Sequence, residues 1–547
     1  MSKRHLFESP DGLVNKALRG IIAYNPSLSL DEGNRIVYDT AYNRANVSLI
    51  SGGGSGHEPA WTGYVGENML AASVPGDIFA TIVAAVEAVP SDKGTILVVT
   101  NYTGDCLHLR PRQREGQRRG HNCRIIICGD DVSVGKGRGS MVGRRGLAGQ
   151  IGVLKVMGGA AGGGRLPRRG LRPRCRLLQQ IVSIAATLDH CHVPGRTEHA
   201  TLKEDEVELG TGPHNEPGFL KLSPPPSPSE LVAKILKNCL DESDPERGYV
   251  HFAPGDETFL LVSNFGGMSH LEMGALVDEL LEQLETTWSI EPVRVVCGFL
   301  ETSLNAPAFS VSVIKSFFDV RTTTYWESMT GAQSTRRRRR RDQIVSAPKE
   351  EPRPVDDARD LKVDPALLES MLRRACAAVV DSEPDLTRWD TIMGDGDCGE
   401  TLKTGATALL SALDAGLAKP GSAVKVLLEL EEIMGGTLGG ILGIFFVSLR
   451  AAVESNISLA SSKGGPVAPL GRRPVLRPVQ PEAVHPAKVG DRTVMDTLIP
   501  FAEAMEKAGF AEGVDAAIKG AEATKTMTPR LAGQRTWVDR ATTLSFP

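Results

Sequence analysis

Val47-Ser-Leu-Ile50 runs directly into Ser51-Gly-Gly-Gly-Ser-Gly56 and then into His57-Glu58-Pro59. A short apolar run ended by glycines reads as a buried strand that delivers a loop at its carboxyl end. Residues 95–99 (TILVV) repeat the plan before Asn101-Tyr-Thr-Gly-Asp105, and residues 124–128 (RIIIC) repeat it before Gly129-Asp-Asp131. Continuous rather than alternating hydrophobicity indicates parallel strands covered on both faces, hence an α/β sheet. In such sheets ligands sit in the loops beyond the strand carboxyl ends. Chemistry is therefore expected at residues 51–58, 101–105 and 129–131.

Working outward, the plan recurs at residues 258–262 (TFLLV) before Ser263-Asn-Phe-Gly-Gly267, and at 293–296 (VRVV) before Cys297-Gly-Phe-Leu-Glu301. This predicts a second α/β lobe. Residues 335–360 change character. Six arginines, 336–341, precede a Pro-containing charged stretch that cannot bury enough apolar surface to order itself. It reads as a linker. A nucleic-acid patch would want aromatics interleaved with the arginines, and none are there. After residue 361 the period becomes helical: Leu367, Leu368, Met371, Leu372 and Cys376, then Leu427, Leu428, Leu430, Ile433 and Met434, then Val514, Ala517, Ile518 and Ala521. The expected organisation is an α/β region over 1–334, in two lobes of about 1–190 and 191–334, a linker over 335–360, and an all-α domain over 361–547.

The length of 547 residues exceeds one ordinary core and agrees with several domains. A net charge of -4 excludes a global field for nucleic acid or membrane. Nine dispersed cysteines without a CxxC pair point to a reducing compartment. No apolar leader opens the chain, and no run of about 18 apolar residues is evident. A cytoplasmic soluble enzyme is the expectation.

Five segments carry chemistry. Gly54, Ser55 and Gly56 can turn backbone N–H groups toward a small ligand beside His57; read alone, the segment serves equally as a plain turn. Asp105 can accept a proton from a hydroxyl or cap a turn. His214, in Glu208-Leu-Gly-Thr-Gly-Pro-His214-Asn-Glu216-Pro-Gly218, can act as a nucleophile toward a carbonyl, although a loop histidine is more often merely polar surface. Asp390, Asp395 and Asp397, separated by glycines in DTIMGDGDCG, gather hard oxygen donors of the kind that holds Mg²⁺ on a nucleotide. Their mutual repulsion calls for a cation. Met434-Gly-Gly-Thr437-Leu438-Gly-Gly440 before an apolar helix offers an anion site, without the spacing of a P-loop.

Taken in order, GGGSGHEPA, NYTGD, GRRGLAG, EVELG with H.EPG, GDGDCG, MGGT.G, GDRT with its following Asp, and GAEATKTM resemble the single-chain, ATP-dependent dihydroxyacetone kinases over roughly residues 5–530. The resemblance implies an N-terminal two-lobed α/β domain that binds dihydroxyacetone and a C-terminal all-α helical barrel that binds ATP. It implies that His214 adds to the ketone carbon and holds it as a hemiaminal. Gly54, Ser55, Gly56 and His57 would line the substrate, with Asp105 as acid/base. Asp390, Asp395 and Asp397 would hold Mg²⁺. Asp395, Gly396, Asp397, Cys398, Thr437, Leu438, Thr493 and Val494 would line the nucleotide. Phosphorylation of dihydroxyacetone and glyceraldehyde by a homodimer follows. Competing expectations are a sugar-binding homologue without catalysis, an FMN cyclase side-activity on FAD, and a fatty-acid kinase; GGGSGH and His214 on one chain speak against the last.

Thr100 stands where many members have Lys, Trp61 where many have His, Pro213 and Asn215 in place of Ile and Gly, and Leu438 in place of a small hydroxyl residue. Residues 109–120, 164–178, 465–486 and 534–547 lose the family pattern abruptly, and the first three regain it afterwards. The Arg, Pro and Gly content of those first three is what a shifted reading frame would leave. A chain carrying them as written, without the family's final Asp-Pro-Gly block, is expected to turn over weakly.

Overall fold

The structure is a computed structural model. It describes residues 5–7, 9–76, 82–106, 121–139, 143–163, 180–196, 201–253, 255–315, 344–345, 355–393, 398–433, 436–463 and 487–527. The chain divides into two compact units, Met1–Pro348 and Lys349–Pro547.

The first unit contains two sheets. Strands β1 (Leu28–Asp31), β2 (Ile36–Asp39), β3 (Ser48–Gly53), β4 (Ala72–Pro75), β5 (Thr95–Thr100), β6 (Cys123–Cys128) and β13 (Ile344–Val345) form a seven-stranded sheet in the order β13-β1-β2-β4-β3-β5-β6. Its β4-β3-β5-β6 half is parallel. The expected covering of both faces is visible residue by residue. Leu49, Ile96 and Val98 face one core with Leu18 and Ile22 and with Val153 and Leu154 of a helix at Gly149–Gly162. Ile50, Leu97 and Val99 face another with Ala85 and Val86 of a helix at Ile82–Ala88. Odd and even positions of one strand thus supply two separate cores, which is why the strands read as unbroken apolar runs.

The second sheet runs β11 (Arg294–Gly298), β10 (Thr258–Asn264), β12 (Ala308–Lys315), β7 (Ile181–Thr187), β8 (Val207–Leu209), β9 (Leu220–Leu222). β7 joins this sheet although it precedes residue 190, the expected lobe boundary, because its ladder partners are β12 and β8. Helices at Pro228–Leu240 and His270–Trp288 bury Ile235, Leu236, Leu280 and Leu284 against Leu260, Val262, Val311 and Val313. Both helices begin with a Ser/Glu capping box, Ser227 with Glu230 and Ser269 with Glu272.

The second unit is helical: Pro365–Met393, Cys398–Asp414, Ala423–Glu432, Gly436–Lys463, Met495–Lys507 and Phe510–Thr524. Leu368, Leu372 and Cys376 pack on Leu409 and Leu413, as their spacing predicts. Leu367 and Met371 turn outward and are about half exposed, because the buried stripe is narrower than the apolar face read from sequence. Contrary to the expectation that no such run exists, the window Leu438–Ser455 is long and apolar enough to cross a membrane by length and composition alone. The window also contains Arg450, which pairs with Glu431 and Glu454. Val453 of this helix joins Val424 and Leu427 in a small core. The four stretches that lose the family pattern, and the arginine run, lie outside the described residues.

Candidate active site

The loop after β3 is shaped by close approach. A methyl on Gly53 would lie 2.3 Å from the ring of Trp61, so only glycine admits the tryptophan there. The loop then folds onto residues 302–304: Gly56 O accepts Leu304 N–H at 2.8 Å and Thr302 Oγ1–H at 3.1 Å, while Gly56 N–H donates to Glu58 Oε2 at 2.9 Å. Gly54 keeps space beside His57 Nε2, which an added methyl would approach to 3.9 Å. Ser55 is exposed.

His57 is buried. Its Nδ1 lies 2.8 Å from Thr302 O, and its Nε2 lies 3.0 Å from His214 Nε2. A carbonyl only accepts, so Nδ1 carries the hydrogen and Nε2 presents a lone pair. Burial, and then the charge of His214, push His57 down to about 4, so it is neutral near pH 7.

His214 sits with its ring edge-on to His57 and to Tyr102, each at 4.7 Å between centroids. The Tyr102 hydroxyl is fixed by Gly146 O at 3.1 Å. The His214 N–H donates to Glu216 Oε2 at 2.8 Å, and its Nδ1 lies 3.6 Å from Glu216 Oε1. Burial alone would raise Glu216; bonding and charge from His214, with the charge of Arg145, hold it down at about 2. Arg145 is anchored by Asp131 at 2.8 Å, Ser133 at 2.9 Å and Gly210 O at 2.7 Å. The loops after β3, β5, β6 and β8 and the segment after β11 thus converge on one point.

Asp105, on the β5 loop, is buried. Burial pushes it up to about 7, against the pull of His214. Behind β5, Thr100 Oγ1–H donates to Gln150 at 2.9 Å and Gln150 donates to the buried Glu301 at 3.0 Å. Burial raises Glu301 to about 7, against the bond from Gln150. Asn215 occupies the left-handed region at φ 59°, and its side chain accepts Cys191 N–H at 2.9 Å. Asn is among the few residues that tolerate this conformation in place of glycine.

The structure therefore brings Gly54, Gly56, His57, Asp105 and His214 to one place. Sequence reading missed Glu216, Arg145, Tyr102 and Thr302 as members. Tyr102 and Glu216 lie inside motifs already marked and could have been named from them. Thr302 is 245 residues from His57 and left no local signal.

In the second unit, Asp390 Oδ2 accepts the Cys398 N–H at 3.0 Å, at the start of helix Cys398–Asp414. Asp395, Gly396 and Asp397 lie outside the described residues, as does the side chain of Thr437. Among the described residues no group of three metal-ligating side chains occurs. Leu438 is partly buried. Thr493 and Val494 belong to a turn closed by Asp496, which accepts Gly490 N–H at 2.5 Å and Thr493 N–H at 2.7 Å.

Comparison with known proteins adds scale. Residues 19–334 match the Dak1 domain and residues 392–542 the DAK2 domain. A dihydroxyacetone kinase of Pichia angusta is 36% identical over 572 residues, spanning 96% of this chain and 92% of that protein. Dihydroxyacetone kinase 2 of Saccharomyces cerevisiae is 37% identical over 566 residues, spanning 97% and 93%. The crystal structure of the dihydroxyacetone kinase from C. freundii in complex with AMP-PNP and Mg²⁺ is similar with a TM-score of 0.52 and 26% identity, covering 99% of this chain and 98% of that one. With both domains in order and near-complete coverage on each side, this chain belongs to the dihydroxyacetone kinase family.

Proposed function

We propose that this chain phosphorylates dihydroxyacetone, and glyceraldehyde beside it, with ATP, and that His214 first captures the ketone as a hemiaminal. The observation that carries the capture is the setting of His214, whose Nε2 stands next to His57 while Nδ1 faces Glu216, with the open side of Gly54 beside His57. Gly54, Ser55, Gly56 and His57 line the ketone. Asp105, raised to about 7, is suited to take a proton from the accepting hydroxyl near neutral pH. Capture selects the substrate, because glycerol has no carbonyl and cannot form the bond.

For the nucleotide we take Asp395, Gly396, Asp397, Cys398, Thr437, Leu438, Thr493 and Val494. For Mg²⁺ we take Asp390, Asp395 and Asp397. An all-oxygen donor set suits Mg²⁺, and the hydrogen bond of Asp390 to Cys398 N–H aims that carboxylate at a helix N-terminus, where a phosphate is favoured. The bound metal supplies charge neutralisation for phosphoryl transfer. We take 335–360 as the linker, with domains over 1–334 and 361–547, supported by a division between compact units at residue 348. A homodimer and a cytoplasmic location rest on the family likeness.

Purified protein given ATP, Mg²⁺ and dihydroxyacetone is expected to form dihydroxyacetone phosphate, and to stop when Mg²⁺ is omitted or Asp395 is replaced by Ala. Full turnover by Asp395→Ala would remove the metal assignment, and no phosphorylated triose from wild type would remove the kinase reading.

A further inference from the structure

Capture needs the lone pair of one atom, His214 Nε2, and the surroundings of the ring determine how that lone pair becomes free. Nε2 lies 3.0 Å from His57 Nε2. Because His57 Nδ1–H is committed to Thr302 O, His57 Nε2 only accepts. Nδ1 of His214 faces the Glu216 carboxylate at 3.6 Å, another acceptor. A neutral His214 with its proton on Nδ1 would set two lone pairs against each other at Nε2. These surroundings therefore suit an imidazolium, with both nitrogens protonated and the charge matched by Glu216.

Glu216 is placed for this pairing. Both of its oxygens address His214, one through the backbone N–H and one through the ring. Arg145 stands behind it. A methyl on Gly212 would lie 2.1 Å from Glu216 Oε2 and 2.8 Å from Arg145 Nη1, so the absence of a side chain at residue 212 lets carboxylate and guanidinium close on the same point. Arg145 in turn is held by Asp131, Ser133 and Gly210 O. The line Asp131, Arg145, Glu216, His214 alternates in sign.

We propose that Glu216 is a positioning residue for ketone capture: it keeps Nδ1 of His214 protonated throughout, and its charge offsets the cation that the captured ketone leaves on the ring. The inference rests on the capture reading given above. In the step, the Nε2 proton of His214 passes to His57 Nε2, and the freed lone pair forms the bond to the ketone carbon. The carbonyl π pair moves to oxygen, which takes the proton back from His57. No proton enters or leaves the site. The product ring is a substituted imidazolium with its Nδ1–H still facing Glu216, so the ion pair with Glu216 persists through the step.

The test is ¹³C NMR of dihydroxyacetone labelled at the ketone carbon, mixed with the full chain without ATP, alongside ¹⁵N spectra of the histidine rings. Wild type is expected to convert bound ketone to tetrahedral carbon and to show both His214 nitrogens protonated before substrate is added. Glu216→Gln, which keeps size and loses charge, is expected to lower the captured fraction roughly ten-fold or more and to lose one His214 ring proton. Glu216→Asp, which keeps the charge, is expected to recover part of the capture. A folded Glu216→Gln protein with wild-type capture overturns the proposal. So does a wild-type spectrum with bare Nδ1 on His214, a readout that does not depend on any variant folding. Absence of tetrahedral carbon in wild type would overturn the capture reading itself, which separates the two failures.

Discussion

At the scale of residues, the site is an arrangement of protons. Asp105 shows how burial sets the proton affinity of a proposed base. With a carboxyl raised to about 7, it is ionised, and able to accept a proton, only above that point. Activity that depends on it is expected to fall as pH drops through about 7, and the fall should be seen in kcat/KM for dihydroxyacetone measured from pH 5 to 9. Asp105→Asn is expected to lower turnover on the order of a hundred-fold or more and to flatten that limb of the profile. An unchanged profile in the variant would assign the limb to another group. Asp105 and His57 were marked because each stands in a loop after an apolar strand, and His214 because it stands among glycines and prolines. Thr302, which fixes the His57 tautomer, was not, because only the packed fold brings β11's exit against the β3 loop. Asn215 was read as a departure from the family pattern; its positive φ lies in the region that glycine and asparagine tolerate best.

At the scale of elements, strand and helix types were legible and helix faces less so. Apolar runs leading into glycine-containing loops marked β3, β5 and β10, since strands buried on both faces leave no alternation to misread. The helical stripe was over-read at Leu367 and Met371, because periodicity shows which residues share a side but not how wide a neighbour covers it. Leu409, almost fully buried, and Leu367, exposed, therefore make a contrasting pair. Leu409→Ala is expected to cost about 2–5 kcal/mol and Leu367→Ala at most about 0.5 kcal/mol, measured by denaturant unfolding. Equal losses would contradict the described packing. In the first unit, Gly53→Ala would drive a methyl into Trp61. It is expected to cost about 1–3 kcal/mol and to weaken ketone binding with it, because the same loop carries His57.

At the scale of the whole molecule, the chain forms two compact units. The proposed ketone capture would use groups of the first alone, so Asp395→Ala is expected to abolish phosphorylation while leaving the captured fraction in ¹³C NMR unchanged. Loss of both together would mean that capture depends on the helical unit. The family and the order of its blocks were legible across almost the full length. The stretches at 109–120, 164–178 and 465–486 resisted reading, because Arg, Pro and Gly in that density set neither a helical nor a strand period. The most direct measurement is the rate of phosphorylation of dihydroxyacetone and of glycerol by one preparation of wild type and of His214→Ala. Wild type should phosphorylate dihydroxyacetone at least about a hundred-fold faster than glycerol, and His214→Ala should lose that preference. Equal wild-type rates on the two substrates, or an unchanged preference in His214→Ala, would contradict selection by covalent capture.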